Sequence, residues 1–142
     1  MTLRVFKHAA TMALTTTVMA SAALVGPAGA AAATTGGGCT GPASKQACVR
    51  TVDKNGHTHL VFDAAFDAIN AGADCHVRMT AWDDTDGWPW MSEPRPCGEG
   101  HAFTYDLPNP TPGHIYRTEL RISPARSDFV FPEIVTSPSL TY

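Results

Sequence analysis

Residues 46–66 read QACVRTVDKNGHTHLVFDAAF. Two runs with a period of two, Gln46 to Asp53 and His57 to Phe66, flank Lys54-Asn55-Gly56. Asn-Gly between such runs is the strongest short-range hairpin signal, because both residues tolerate the positive φ that a two-residue hairpin turn requires. The same alternation recurs outward from this hairpin. Cys75, Val77, Met79 and Ala81 alternate with His76, Arg78, Thr80 and Trp82; Phe103, Tyr105 and Leu107 alternate with Ala102, Thr104 and Asp106. Tyr116, Thr118, Leu120 and Ile122 alternate with Arg117, Glu119 and Arg121, the cleanest apolar-in, polar-out pattern in the chain. Such alternation marks strands with one face in a core and one in water. Phe129 and Phe131 are expected to start a last strand that Pro132 confines to an edge or interrupts with a bulge. Asp63 to Ile69 also suits a helix, with Asp63 as N-cap and Gly72 as stop. Leu60, Phe62, Ala64 and Phe66 continue the upstream alternation, however, and favour a strand. About six or seven short antiparallel strands predict an all-β sandwich, the way a chain of this size buries alternating faces.

The amino-terminal residues set the compartment. Residues 1–30 contain no acidic side chain, carry Arg4 and Lys7 ahead of an apolar run from Ala9 to Val25, and close with Ala28-Gly29-Ala30. These features predict a secretory signal peptide with an A-x-A cleavage site. The run is about 17 residues, near the lower limit for spanning a bilayer. Residues 31–44 are rich in Ala, Thr, Gly and Pro and read as a flexible arm until Cys39 ties it down. Residues 45–142 would form the β-sandwich domain. Cleavage would leave 112 residues with 8 basic against 13 acidic side chains, a net charge near −5. A negative chain without a Lys/Arg cluster lacks the electrostatic footprint for nucleic acid or an anionic membrane, so neither is expected as a partner after signal cleavage.

All 4 Cys follow the expected cleavage site. An even number in a short exported chain predicts disulfides, with three possible connectivities. Cys39 and Cys48 bracket a short Gly/Pro/Ser segment, and Cys75 and Cys97 bracket the stretch that carries every Trp, so local pairing is expected. No C-x-x-C pair suggests a metal site.

Pro112-Gly113-His114-Ile115-Tyr116 resembles the P-G-x-x-Y entry to strand F of fibronectin type III and related immunoglobulin-like domains. The resemblance implies an immunoglobulin-like fold in which Tyr116 buries its ring and bonds its hydroxyl to upstream backbone. Gly113 and Tyr116 would then be structural, and the resemblance implies nothing about function.

The most unusual stretch is Trp82-Asp83-Asp84-Thr85-Asp86-Gly87-Trp88-Pro89-Trp90-Met91. Three Trp in nine positions, interleaved with three Asp, cannot all face inward from one loop. An exposed indole offers a large rigid apolar face at low entropic cost, which suits a binding hot spot. Trp82, Trp88, Trp90, Met91, Asp84 and Asp86 are therefore the expected binding residues. Asp83, Asp84, Asp86 and Gly87 resemble the start of a calcium loop, but the bidentate Glu it needs would fall at Arg95, so a solvated acidic turn is expected. His57 and His59 lie two apart, and His101 and His114 begin other strands; no third or fourth ligand can be named, and neither a metal nor a cofactor is expected. No G-x-S-x-G elbow is present and the Cys are expected to be oxidised, which argues against nucleophilic catalysis.

These readings favour a secreted, non-enzymatic module whose Trp-rich loop contacts an extracellular polysaccharide or protein. An alternative follows from a resemblance of plan to small bacterial proteinase and amylase inhibitors: two local disulfides and a Pro-flanked loop, residues 88–96, that would enter an enzyme cleft. A small metal-dependent hydrolase using the His residues is the third reading.

Overall fold

The computed structural model describes residues 34–124 and 132–142. The expected signal peptide (1–30), the first residues of the expected arm, and Phe129 and Phe131 lie outside the described residues. Eleven strands are described: β1 (Thr35–Gly36), β2 (Gly38–Thr40), β3 (Lys45–Lys54), β4 (His57–Phe66), β5 (His76–Asp83), β6 (Trp88–Met91), β7 (Arg95–Pro96), β8 (His101–Pro108), β9 (Ile115–Ser123), β10 (Glu133–Thr136) and β11 (Leu140–Thr141). They form two antiparallel sheets. One runs β2-β3-β4-β8; the other runs β1-β11-β9-β5-β6, with β10 also on β9 and β7 also on β5. The described residues contain no helix, and so none long and apolar enough to cross a membrane.

The hairpin of residues 46–66 forms as its sequence dictates. Lys54 pairs with His57 across Asn55 and Gly56, whose φ values of 56° and 79° are those a type I′ turn demands. β4 ends at Phe66, so the alternation rather than the helical reading holds, and residues 67–75 form a connection to β5. Inward-facing residues then meet between the sheets. Ala47, Val49, Leu60, Phe62, Ala64, Phe66 and Phe103 come from one, and Val77, Met79, Ala81, Tyr116, Leu120, Ile122 and Leu140 from the other. Thr118, fully buried on β9, donates its hydroxyl to the Cys48 carbonyl on β3 at 2.6 Å, a polar tie across the sandwich. Cys39 pairs with Cys48 and Cys75 with Cys97, the local connectivity expected.

The strand count exceeds the six or seven expected, and proline is the main reason. β6 and β7 lie along β5 but are parted at Ser92-Glu93-Pro94; β10 and β11 lie along β9 but are parted at Ser137-Pro138-Ser139. Proline has no N–H to give to a ladder, so each edge breaks there. Both gaps are closed by a serine. Ser92 Oγ accepts the Met79 N–H at 3.0 Å, and Ser137 Oγ accepts the Thr118 N–H at 2.9 Å. After Pro132, β10 begins at Glu133.

The expected flexible arm needs correction over its described part, residues 34–44. β1 pairs with β11 and β2 with β3, so paired structure begins at Thr35 and not at 45. The glycines there permit close approach rather than slack: a Cβ on Gly36, at φ +83°, would sit 2.3 Å from the Ser139 carbonyl oxygen.

Candidate binding cleft

Trp82 to Met91 fold as a hairpin, not as a free loop. Asp83 pairs with Trp88 and Ala81 with Trp90. The turn between them is held by Asp83, whose Oδ1 accepts the N–H groups of Thr85 (3.0 Å) and Asp86 (3.2 Å), and Gly87 supplies a φ of +68°. Side chains alternate along a strand, so Trp88 and Trp90 share the inward face while Trp82, Pro89 and Met91 share the outward one.

The three Trp therefore do different work. Trp90 is half-buried and stacks on Tyr105 of β8, ring centroids 4.3 Å apart and planes 13° from parallel, which joins the two sheets at their open edge. Trp88 is 62% exposed. Trp82 lies under the Arg117 guanidinium, 5.1 Å from its ring centroid. Arg117 in turn bonds both oxygens of Asp84 at 2.9 Å and pairs with Glu119. Burial pushes the Glu119 carboxyl up, but Arg117, with help from Trp82 and Arg121, outweighs it and holds the group below its ordinary value. Trp82 and Asp84 thus belong to an outer-face network, and Met91 is exposed on that same face.

On the inward side a cleft of ≈ 190 Å³ opens at the end of the sandwich. Trp88 and Trp90 of β6, Tyr105 and Leu107 of β8, and the Asn109–Thr111 turn bound it, with Phe62 and Tyr116 beneath and Asp83 and Asp86 among its polar groups. Tyr116 is 1% exposed, its hydroxyl accepts the Thr111 N–H at 3.0 Å, and burial raises its pKa. Gly113, at φ +83°, turns the chain into β9. Just before that strand, His114 Nδ1 lies 2.8 Å from Asp83 Oδ2 and 3.9 Å from Asp86 Oδ2. The bond to Asp83 raises the His114 pKa, against a smaller opposing effect of burial.

Asp83, Asp86 and His114 each place one donor atom within 4.8 Å of the others. The shortest of these contacts is the 2.8 Å Asp83–His114 hydrogen bond, which directs Nδ1 at a carboxylate. The other expected His pair divides. His59 bonds Asp106 at 2.7 Å on the outer face of the β3–β4–β8 sheet, where Lys54 also pairs with Asp106, while His57 is exposed at the turn. Lys54 first and His59 second hold the Asp106 carboxyl below its ordinary value.

Of the six expected binding residues, the hairpin brings Trp88, Trp90 and Asp86 to the cleft and commits Asp84 to Arg117; Trp82 reaches the cleft's boundary but carries its guanidinium contact on the other face. Tyr105, Leu107 and Thr111 were missed as site residues. The segment 88–96 lies along the sheet edge beside β5, with the Ser92 N–H bonded to the Met79 carbonyl at 2.9 Å. No protein-family model, curated protein or solved structure matches the chain.

Proposed function

We propose that this chain is a secreted, non-enzymatic binding module with an immunoglobulin-like fold, and that its ligand enters the cleft of Trp88, Trp90 and Tyr105. The observation that carries the reading is the 62% exposure of Trp88 over an aromatic cleft that the core does not fill. A large apolar face left in water at a preformed concavity is where recognition concentrates. The two disulfides suit an extracellular setting. The fold reading is supported by strand order, β3-β4-β8 against β10-β9-β5-β6, and by the tyrosine at the start of β9 that bonds back to Thr111. The stacking of Trp90 on Tyr105 occupies one face of each ring, so the cleft suits one compact group carried by an extracellular polysaccharide or protein better than a run of sugar rings.

The test is retention of the purified protein on insoluble glycans and on isolated cell-wall material, wild type against Trp88→Ala. Because Trp88 is exposed, the variant should keep the wild-type melting temperature and lose retention. Equal retention of the two proteins would overturn the reading.

A further inference from the structure

We infer that the group this cleft accepts is an organic cation, an alkylammonium head. The inference rests on the binding reading above and gives it a ligand class. Among the residues that bound the cleft are two carboxylates, Asp83 and Asp86, and no Lys, Arg or His. Asp83 is engaged through both oxygens, with Oδ2 on His114 and Oδ1 on two backbone N–H groups. Asp86 is not: its side chain is 66% exposed, and its nearest cationic partner, His114 Nδ1, stands 3.9 Å away, outside hydrogen-bond range. The strongest base nearby, Arg117, lies on the other face and is committed to Asp84 and Glu119. The cleft therefore combines aromatic walls with one carboxylate that has spare acceptor capacity.

That combination selects a positive charge. The negative faces of Trp and Tyr rings attract a cation within about 6 Å, Trp most strongly, and alkyl groups on the nitrogen add apolar contact. An anion meets Asp86 and is repelled, whereas a neutral apolar group gains only the area term. Size agrees: ≈ 190 Å³ holds a single head group and falls below the roughly 300–1,000 Å³ of drug-sized pockets. The head can be carried on the polysaccharide or protein of that reading, be free in solution or sit on a lipid, and the same charge and shape would be read in each case.

The experiment titrates the whole secreted protein with choline and with 3,3-dimethyl-1-butanol, its uncharged carbon isostere, following the Trp88 indole N–H by NMR. Choline should bind about tenfold or more tightly than the isostere. Asp86→Asn, a substitution at an exposed turn, should weaken choline several-fold and leave the isostere unchanged. Co-sedimentation with phosphatidylcholine vesicles, in competition with free choline, separates a lipid source from a soluble one, and binding to either supports the inference. Equal affinities for choline and the isostere would overturn the charge preference while leaving a binding cleft. No response to either probe, with Trp88-dependent retention intact, would overturn the cation inference alone; loss of that retention result would remove the reading beneath it.

Discussion

Thr118→Val tests whether the two sheets are tied by chemistry or by packing alone. The side chain is fully buried, Val preserves its branched shape, and the change replaces the hydroxyl that reaches the Cys48 carbonyl at 2.6 Å by a methyl group. A typical hydrogen bond contributes a net ~1 kcal/mol, and stranding a buried partner costs about 1–3 kcal/mol. Cys48 is only 8% exposed, so water gives its carbonyl little replacement. A loss of about 1–2 kcal/mol is expected. For a domain of this size that lowers the melting temperature by roughly 4–8 °C per kcal/mol, or about 4–16 °C in total. Thr118→Ser is the control, since it keeps the hydroxyl and removes a methyl worth roughly 1 kcal/mol of burial. The assay is calorimetry, with urea unfolding to confirm that the m-value is unchanged. If the Val variant matches wild type in stability while the Ser variant does not, the tie contributes nothing and packing alone joins β3 to β9.

Two further outcomes follow from the turn that enters β9. Tyr116→Phe removes the acceptor of the Thr111 N–H, but Thr111 is exposed and water can take over, so urea unfolding should show a loss near 1 kcal/mol, at or below that of Thr118→Val. The His114 pKa is raised above its ordinary 6.5 chiefly by its bond to Asp83. A raised folded-state pKa means that the pair's stabilisation is complete below about 6.5 and is lost as pH rises through the higher folded value, so the melting temperature of wild type should fall over that window relative to His114→Gln; parallel curves would refute the ion pair.

Period-two patterning made most of the fold legible. The hairpin at Asn55-Gly56, β5, β8 and β9 each follow from which residues alternate, because burial of one face decides register before any long-range contact is known. What misled was composition. Gly36 to Gly38 reads as a linker by content, yet the absence of a side chain at Gly36 and Gly37 is what lets the chain approach Ser139 and Leu140 beside β11. Proline was read correctly as an edge residue, but its second effect, splitting one edge into two strands, depends on a serine from the same segment capping the neighbour's N–H. That pairing is a property of the folded ladder and has no local sequence signature.

The site was legible in kind and not in membership, for a related reason. Three Trp in one acidic stretch do announce surplus aromatic surface, but treating the stretch as a loop gave all its side chains to one surface. Counting by two from Ala81 and Asp83 across the Gly87 turn would have divided them, sending Trp88 and Trp90 inward and Trp82 and Met91 outward. Tyr105 could not have been assigned by any such count. It reaches Trp90 only because β8 and β6 are the open edges of different sheets and the sandwich lays those edges together. The same closure brings the Asn109–Thr111 turn over Tyr116 and sets His114 beside Asp83. The cleft is therefore a product of how two sheets terminate: one edge supplies indoles, the other supplies a phenol and Leu107, and the turn of the first leaves a single carboxylate, Asp86, unspent at the mouth.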